Sequence, residues 1–331
     1  MNQHVLVATP IRDRAWCFEP WFACQLEAAQ RAAEDGVEVS WLFLENDSQD
    51  ETPALLDSWR RRLPDAVTVL RHDFGYAHYR DPQDERRVIE PSEKRELAAL
   101  RNFLVEGALE TGPERMVPAA SRPGFVLMWD SDVFLPREAL SRDPRSLLST
   151  LLRHPNVMAL AADVEHPGCH GRFHNYMVEV ERKPGTYNHV DRKRPVCAER
   201  LLDQFVVGPQ GQILRPTRFR PVGWGAPDLL FVARVEMAGA AFLLRREAFE
   251  PPLSARYGAH EQGEDVPLCE AIRAGDGLVA MYSGIRGLHL SRSVASQVMG
   301  EEALRVDLSA YPYGVGVEEW LRTQERVGVA T

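Results

Sequence analysis

The chain reads as an α/β protein built on a mainly parallel sheet covered by helices on both faces, and three observations carry that reading. Short, uniformly apolar runs at 4–9, 37–45, 66–71, 125–129, 157–162 and 278–282 have the composition of strands buried on both sides. Helical patterns at 15–35, 51–62, 92–110 and 265–275 stand between them in βαβ order. Polar clusters follow the apolar runs, and in such sheets ligands bind beyond the carboxyl ends of the strands.

Taken in order, the first strand ends in Thr9-Pro10-Ile11-Arg12-Asp13-Arg14, and the second in Glu45-Asn46-Asp47-Ser48-Gln49-Asp50-Glu51-Thr52. Glu45 can accept hydrogen bonds from a nucleobase edge or close the turn; Asp50 and Thr52 are better explained by an Asx turn and the cap of a helix starting near Thr52-Pro53. Helix 92–110 offers Leu97, Leu100, Phe103 and Leu104 to the core, with Arg101-Asn102 interrupting that face. Arg101 is placed to reach the next strand or a phosphate, the plainer alternative being a solvated arginine.

The run Phe125–Trp129 ends in Asp130-Ser131-Asp132. Alternation puts both carboxylates on one side, where they can converge on a divalent cation and the diphosphate it carries. A turn with two helix-capping or Asx-turn aspartates also yields such a triplet, so its weight comes from its position at the end of a buried strand. Further on, Gly239 in the small-residue segment 235–246 permits close backbone approach or simply tight packing. His260-Glu261-Gln262-Gly263-Glu264-Asp265 precedes the helix containing Pro267; capping by Glu264 or Asp265 accounts for one acid but not for three within five residues. His289 stands at the end of another strand, with Arg292 three residues on as a phosphate-binding or surface group.

With 331 residues, 44% of them hydrophobic and 26% charged, the chain is an ordinary globular one, expected to form one domain. Within it, 1–136 and 137–300 would form two closely packed halves and 301–331 a tail. A net charge of -9, with no basic block interleaved with aromatics, excludes a nucleic-acid-coating surface. Cys17, Cys24, Cys169, Cys197 and Cys269 are odd in number and scattered, which speaks against a disulfide framework and for a reducing, cytoplasmic setting. Neither an export segment at the start nor an apolar stretch long enough to span a membrane is seen. Segment 165–228 has little periodicity and reads as an irregular, functional region; no internal repeat appears.

Thr-Pro-x-Arg after the first strand, the acidic turn after the second, Leu-Arg-Asn-Phe-Leu in the helix and Leu-Met-Trp-Asp-Ser-Asp-Val-Phe-Leu-Pro together resemble a GT-A glycosyltransferase, whose fold is a Rossmann-like sheet. The Arg-Asn helix leading to Trp-Asp-Ser-Asp is similar to the fungal mannan-polymerase mannosyltransferases, and the acidic turn to family-2 glycosyltransferases. The resemblance covers 4–136, resumes at 236–290 and is weak in 165–228. It implies transfer from a nucleoside-diphosphate sugar, GDP-mannose or a UDP-sugar, to an acceptor hydroxyl. Pro10, Arg12 and Glu45 would then flank the base, although family-2 enzymes usually carry aspartate where Glu45 stands. Asp130, with Ser131 beside it, would face the ribose or the metal, and Asp132 and His289 would hold Mn²⁺ or Mg²⁺. Gly239 would lie beneath the donor sugar and Arg292 on the pyrophosphate. Asp265, or next Glu264, would be the general base of an inverting reaction, whereas the mannan-polymerase likeness implies retention.

Two other readings come from different classes. His166, His170 and His174, spaced by four around Cys169, could form the zinc site of a hydrolase, but Pro167, Gly168 and Gly171 prevent the helix that would put them on one face. The same loop, with Tyr176, Tyr187 and Trp224, also suits an acceptor cleft. A nucleotide-binding scaffold without turnover is the other.

Overall fold

The computed structural model describes residues 3–75, 91–109, 122–166, 173–179, 187–191, 205–207, 213–214, 230–235 and 237–289. The elements run β1 (Gln3–Ile11), α1 (Phe18–Glu34), β2 (Val37–Glu45), α2 (Thr52–Arg62), β3 (Val67–Arg71), α3 (Pro91–Leu109), β4 (Phe125–Trp129), β5 (Val133–Phe134) and α4 (Leu147–Arg153). They continue with β6 (Val157–His166), β7 (Phe173–Glu179), β8 (Tyr187–Asp191), β9 (Phe205–Val207), β10 (Ile213–Leu214), β11 (Leu230–Arg234), β12 (Met237–Ala238), β13 (Ala241–Arg245), α5 (Asp265–Ala274) and β14 (Leu278–His289).

β3, β2, β1 and β4 pair in parallel in that order. β13 then lies antiparallel to both β4 and β6, and β6 pairs in parallel with β14. Two reversals cancel, so β14 runs the same way as β4, and the carboxyl ends of β1, β2, β4 and β14 share one edge. The expected α/β class with a mostly parallel central sheet is therefore present, interrupted by one antiparallel strand. β11, β9 and β10 extend the sheet in antiparallel fashion beyond β14.

The uniform apolarity of the strands follows from cover on both faces. Val5 and Val7 of β1 and Leu127 and Trp129 of β4 join Phe18, Trp21 and Phe22 of α1 in one core. Leu6 and Ala8, with Val126 and Met128, join Leu100 and Leu104 of α3 and Leu268 and Ile272 of α5 in the other. Each such side chain contributes about 1.5–3 kcal/mol by leaving water.

Three expectations need correction. Segment 165–228 contains the strands β7 to β10, the first two forming a hairpin stack with β6. β14 continues to His289 through an irregularity between Tyr282 and Arg286, well past the run at 278–282. α4, β5 and β13 were not anticipated as elements. Among the described residues no helix is long and apolar enough to cross a membrane.

Candidate functional site

The Asp130-Ser131-Asp132 turn is fixed by its backbone before any side chain is considered. Thr9 Oγ1 donates to Trp129 O at 2.7 Å, Trp21 Nε1 to Asp130 O at 3.1 Å, and the Asp130 amide to Ala240 O at 2.8 Å. Ala240 adopts the left-handed φ of 65° that aims this carbonyl. The turn is thus held from β1, α1 and the start of β13, the kind of rigid support a constellation of charges needs.

Each carboxylate of the turn has a cationic partner. Asp130 Oδ1 accepts from Arg101 Nη2 at 2.8 Å, on the α3 side. Asp132 Oδ2 accepts from Arg14 Nη2 at 3.1 Å, and its Oδ1 lies 3.0 Å from His289 Nε2. Ser131 Oγ accepts from Arg14 Nε at 3.0 Å. Neither aspartate caps a helix; the triplet closes a turn in which the Val133 amide donates to Asp130 O at 3.1 Å. Among the described residues no three His, Cys, Asp or Glu side chains are grouped for one ion. Asp132 Oδ1 and His289 Nε2 are 3.0 Å apart, and Asp130 bonds Arg101 through Oδ1.

Arg14 is the residue that sequence reasoning missed. The strand-end cluster contained it, but the Thr-Pro-x-Arg resemblance pointed to Arg12. Asp13, with φ of 51°, reverses the chain between them and delivers Arg14 to the turn, where its Nη1 also donates to Arg12 O at 3.1 Å. An acidic residue between two arginines just past a strand was the only signal available.

Burial and charge oppose each other at these groups. For His289 burial acts to lower the pKa, but the charge and hydrogen bond of Asp132 outweigh it and the imidazole is raised. Burial raises the Asp130 carboxyl against the pull of Arg101. Arg101 remains a cation: burial disfavours its charge, yet Asp130, Asp265 and Glu264 hold its pKa well above the ordinary value.

The acid pair starts α5. Glu264 is buried, and its Oε1 accepts from Arg101 Nε at 3.1 Å. Asp265 has its Oδ1 fully enclosed without a hydrogen-bond partner, and burial, then the neighbouring Glu264, push its carboxyl well above the usual range. The expected cap does not form: Glu264 stands at the N-cap position without a side-chain capping bond. Gly239 explains the crowding, since a Cβ there would collide with Asp265 Oδ2. The close approach that Gly239 permits is made by this carboxylate.

At the other end of the edge, Glu45 Oε1 accepts from the Ser48 amide at 3.1 Å and Oε2 lies 3.9 Å from Arg71 Nε. Asp50 Oδ1 accepts from the Thr52 amide at 2.9 Å, and its Oδ2 from the Ala15 amide at 3.0 Å. Pro10 and Arg12 are partly exposed beside this turn, Pro10 in register with Leu44. Arg292 and His170 lie outside the described residues. Of the other histidines of that loop, backbone pairing sets His174 opposite Glu165 and His166 opposite Phe173. Cys17, Cys24 and Cys269 are buried free thiols; burial pushes the last up to about 12, so it is no nucleophile at neutral pH.

No protein-family model matches the chain, and no curated protein sequence does. Among solved structures it is similar to the mannosyltransferase PcManGT from Pyrobaculum calidifontis in complex with GDP-Man and Mn²⁺, at 13% identity and a TM-score of 0.45, covering 100% of this chain and 75% of that one. It is also similar to S. aureus TarS 1-349 in complex with UDP, at 10% identity and a TM-score of 0.43, covering 97% and 71%. Against the longer S. aureus TarS structure the identity is 11% and the TM-score 0.44, and the chain spans 40% of that protein. The α/β architecture itself rests on the strand pairings above.

Proposed function

We propose that the chain is a glycosyltransferase of the GT-A type, moving a sugar from a nucleoside-diphosphate sugar to an acceptor hydroxyl with Mn²⁺ or Mg²⁺. The observation that carries this reading is the meeting, at one sheet edge, of a carboxylate–imidazole pair flanked by Arg14 with a second acid pair at the start of α5, Glu264 buried and Asp265 half-buried. The first suits a bound anion and cation, the second a hydroxyl that must lose a proton.

The donor chemistry fits a divalent ion. A carboxylate oxygen and an imidazole nitrogen 3.0 Å apart match neighbouring ligands of an octahedral ion with bonds of about 2.1 Å. When bound, such an ion neutralises the charge growing on the departing diphosphate. Asp132 and His289 would hold it, and Arg14 would add positive charge beside it. Asp130 and Ser131 would face the ribose, with Pro10, Arg12 and Glu45 near the base and Arg292 toward the pyrophosphate. Asp265 is the general base, and the environment that raises its pKa makes it a stronger one. Glu264, fixed by Arg101, is the second choice.

Binding of GDP, UDP and dTDP, with and without Mn²⁺, measured by calorimetry on the full chain and on Asp132→Ala, tests the reading. We expect one base to be preferred, affinity to need the ion, and that need to disappear in the variant. Equal affinity in EDTA and Mn²⁺ sinks the metal model, and turnover dependent on zinc held at the histidine loop would favour a hydrolase.

A further inference from the structure

We propose that Arg101 is a positioning residue that ties the acid pair of α5 to the Asp130–Asp132 turn, and that it does not bind the donor. The proposal rests on the glycosyltransferase reading for its kinetic consequences, but its structural half stands on geometry alone. Arg101 is 4% exposed. Its Nη2 is 2.8 Å from Asp130 Oδ1 and its Nε 3.1 Å from Glu264 Oε1, and the guanidinium lies over the Tyr257 ring, 5.4 Å from the centroid. The Nε–Nη2 edge of this guanidinium is taken by two carboxylates, and an aromatic ring and 4% exposure leave little room for a diphosphate to compete for it.

Its neighbours on α3 serve the same loop. The Asn102 amide both donates to Tyr257 O and accepts from the Tyr257 amide, each at 2.9 Å, and Lys94 Nζ donates to Glu261 O. Lys94 and Arg101 are seven residues apart and so lie on one helix face. α3 therefore grips the 257–264 loop at three points, and only the Arg101 contact also reaches the Asp-Ser-Asp turn. The groups acting on Asp265 are Glu264, Arg101 and Asp130, with Tyr257 and Cys269 beside it, so Arg101 is the cation that balances these acids.

Arg101→Lys and Arg101→Gln, made in the full chain, test this. For Arg101→Gln we expect the Mn²⁺-dependent affinity for the preferred nucleoside diphosphate to stay within about 3-fold, while kcat falls about 10²-fold through misplacement of the acids. The acid limb of its kcat profile should move to higher pH, because the base loses its counter-charge, and Arg101→Lys should recover part of both. Affinity lost in step with kcat would make Arg101 a donor ligand and overturn the proposal. Thermal midpoints from pH 5 to 8 need no substrate. The deficit of Arg101→Gln should grow as pH rises and Asp265, whose carboxyl is raised by burial and by Glu264, ionises without the opposing charge of Arg101. A deficit independent of pH overturns the link even if the wild-type protein binds a nucleotide. Failure of the wild-type protein to bind any nucleotide would count against the glycosyltransferase reading and leave the thermal result to decide on Arg101.

Discussion

The edge formed by β1 and β2 and the edge formed by β4, β14 and α5 are about equally acidic, yet their carboxylates do different things. At the first, acids fold loops. Asp13 Oδ1 accepts from the Gln49 amide at 2.7 Å, and Asp47 takes the amides of Gly75 and Phe74 at 2.9 and 3.3 Å. Glu45 and Asp50 close turns in the same way. At the second, acids face cations or nothing: Asp130 and Glu264 meet Arg101, Asp132 meets Arg14 and His289, and Asp265 Oδ1 has no partner. Carboxylates satisfied by local amides are explained by the fold, whereas carboxylates set against cations need another explanation, which the proposed function would supply.

The sharpest way to break this contrast is Asp265→Asn. Asparagine keeps the shape but cannot take the acceptor proton, so kcat should fall by about 10²-fold or more while nucleotide affinity persists. The same change should stabilise the protein. A carboxyl whose folded pKa is raised gives its full stability below its ordinary pKa and loses it as pH climbs through the raised value. The advantage of the variant in thermal midpoint should therefore widen from pH 5 to pH 8. Near-normal turnover, or a retained anomer in the product by NMR, would remove Asp265 as base.

A smaller effect is expected from Gly239→Ala, whose methyl group must displace Asp265 Oδ2. We expect a loss of about 1–3 kcal/mol in chemical denaturation, together with reduced kcat because the base is moved. Loss of stability with unchanged kcat would show that Asp265 can shift without consequence. Smallest is Asp47→Ala at the other edge. Two amides lose their acceptor at a partly exposed site, so stability should drop by about 1 kcal/mol, and kcat should stay within about 2-fold of wild type. A large kcat effect there would erase the distinction between the edges.

Much of the sheet was legible because strands covered on both faces leave an apolar signature; β1, β2 and β4 appear where their runs place them. Strand direction leaves no such mark. Ala241–Arg245 is as apolar as a parallel strand, and its reversal follows from partners at 125–129 and 159–161 that no local pattern names. The histidine-rich region hid β7 and β8 because hairpin strands there carry Glu, His and Asn in place of an apolar face. Arg101 was found by its position on the helix face, but its second partner, Glu264, lies too far along the chain for spacing to disclose. Arg14 was obscured by a backbone reversal at Asp13, a left-handed conformation that a non-glycine residue does not announce.

The antiparallel strand at the centre of the sheet also governs the order in which the chain can be completed. β4 emerges early, but the neighbour that covers its free edge, β13, begins only at Ala241, after β6 and the hairpin have been made. During synthesis the Phe125–Trp129 edge must wait, an unpaired apolar template of the kind that recruits other chains. A fragment ending before Met237 would keep β1 to β4 and lack that cover. Such a fragment should aggregate where one extending through His289, with β13 on β4 and β14 on β6, does not.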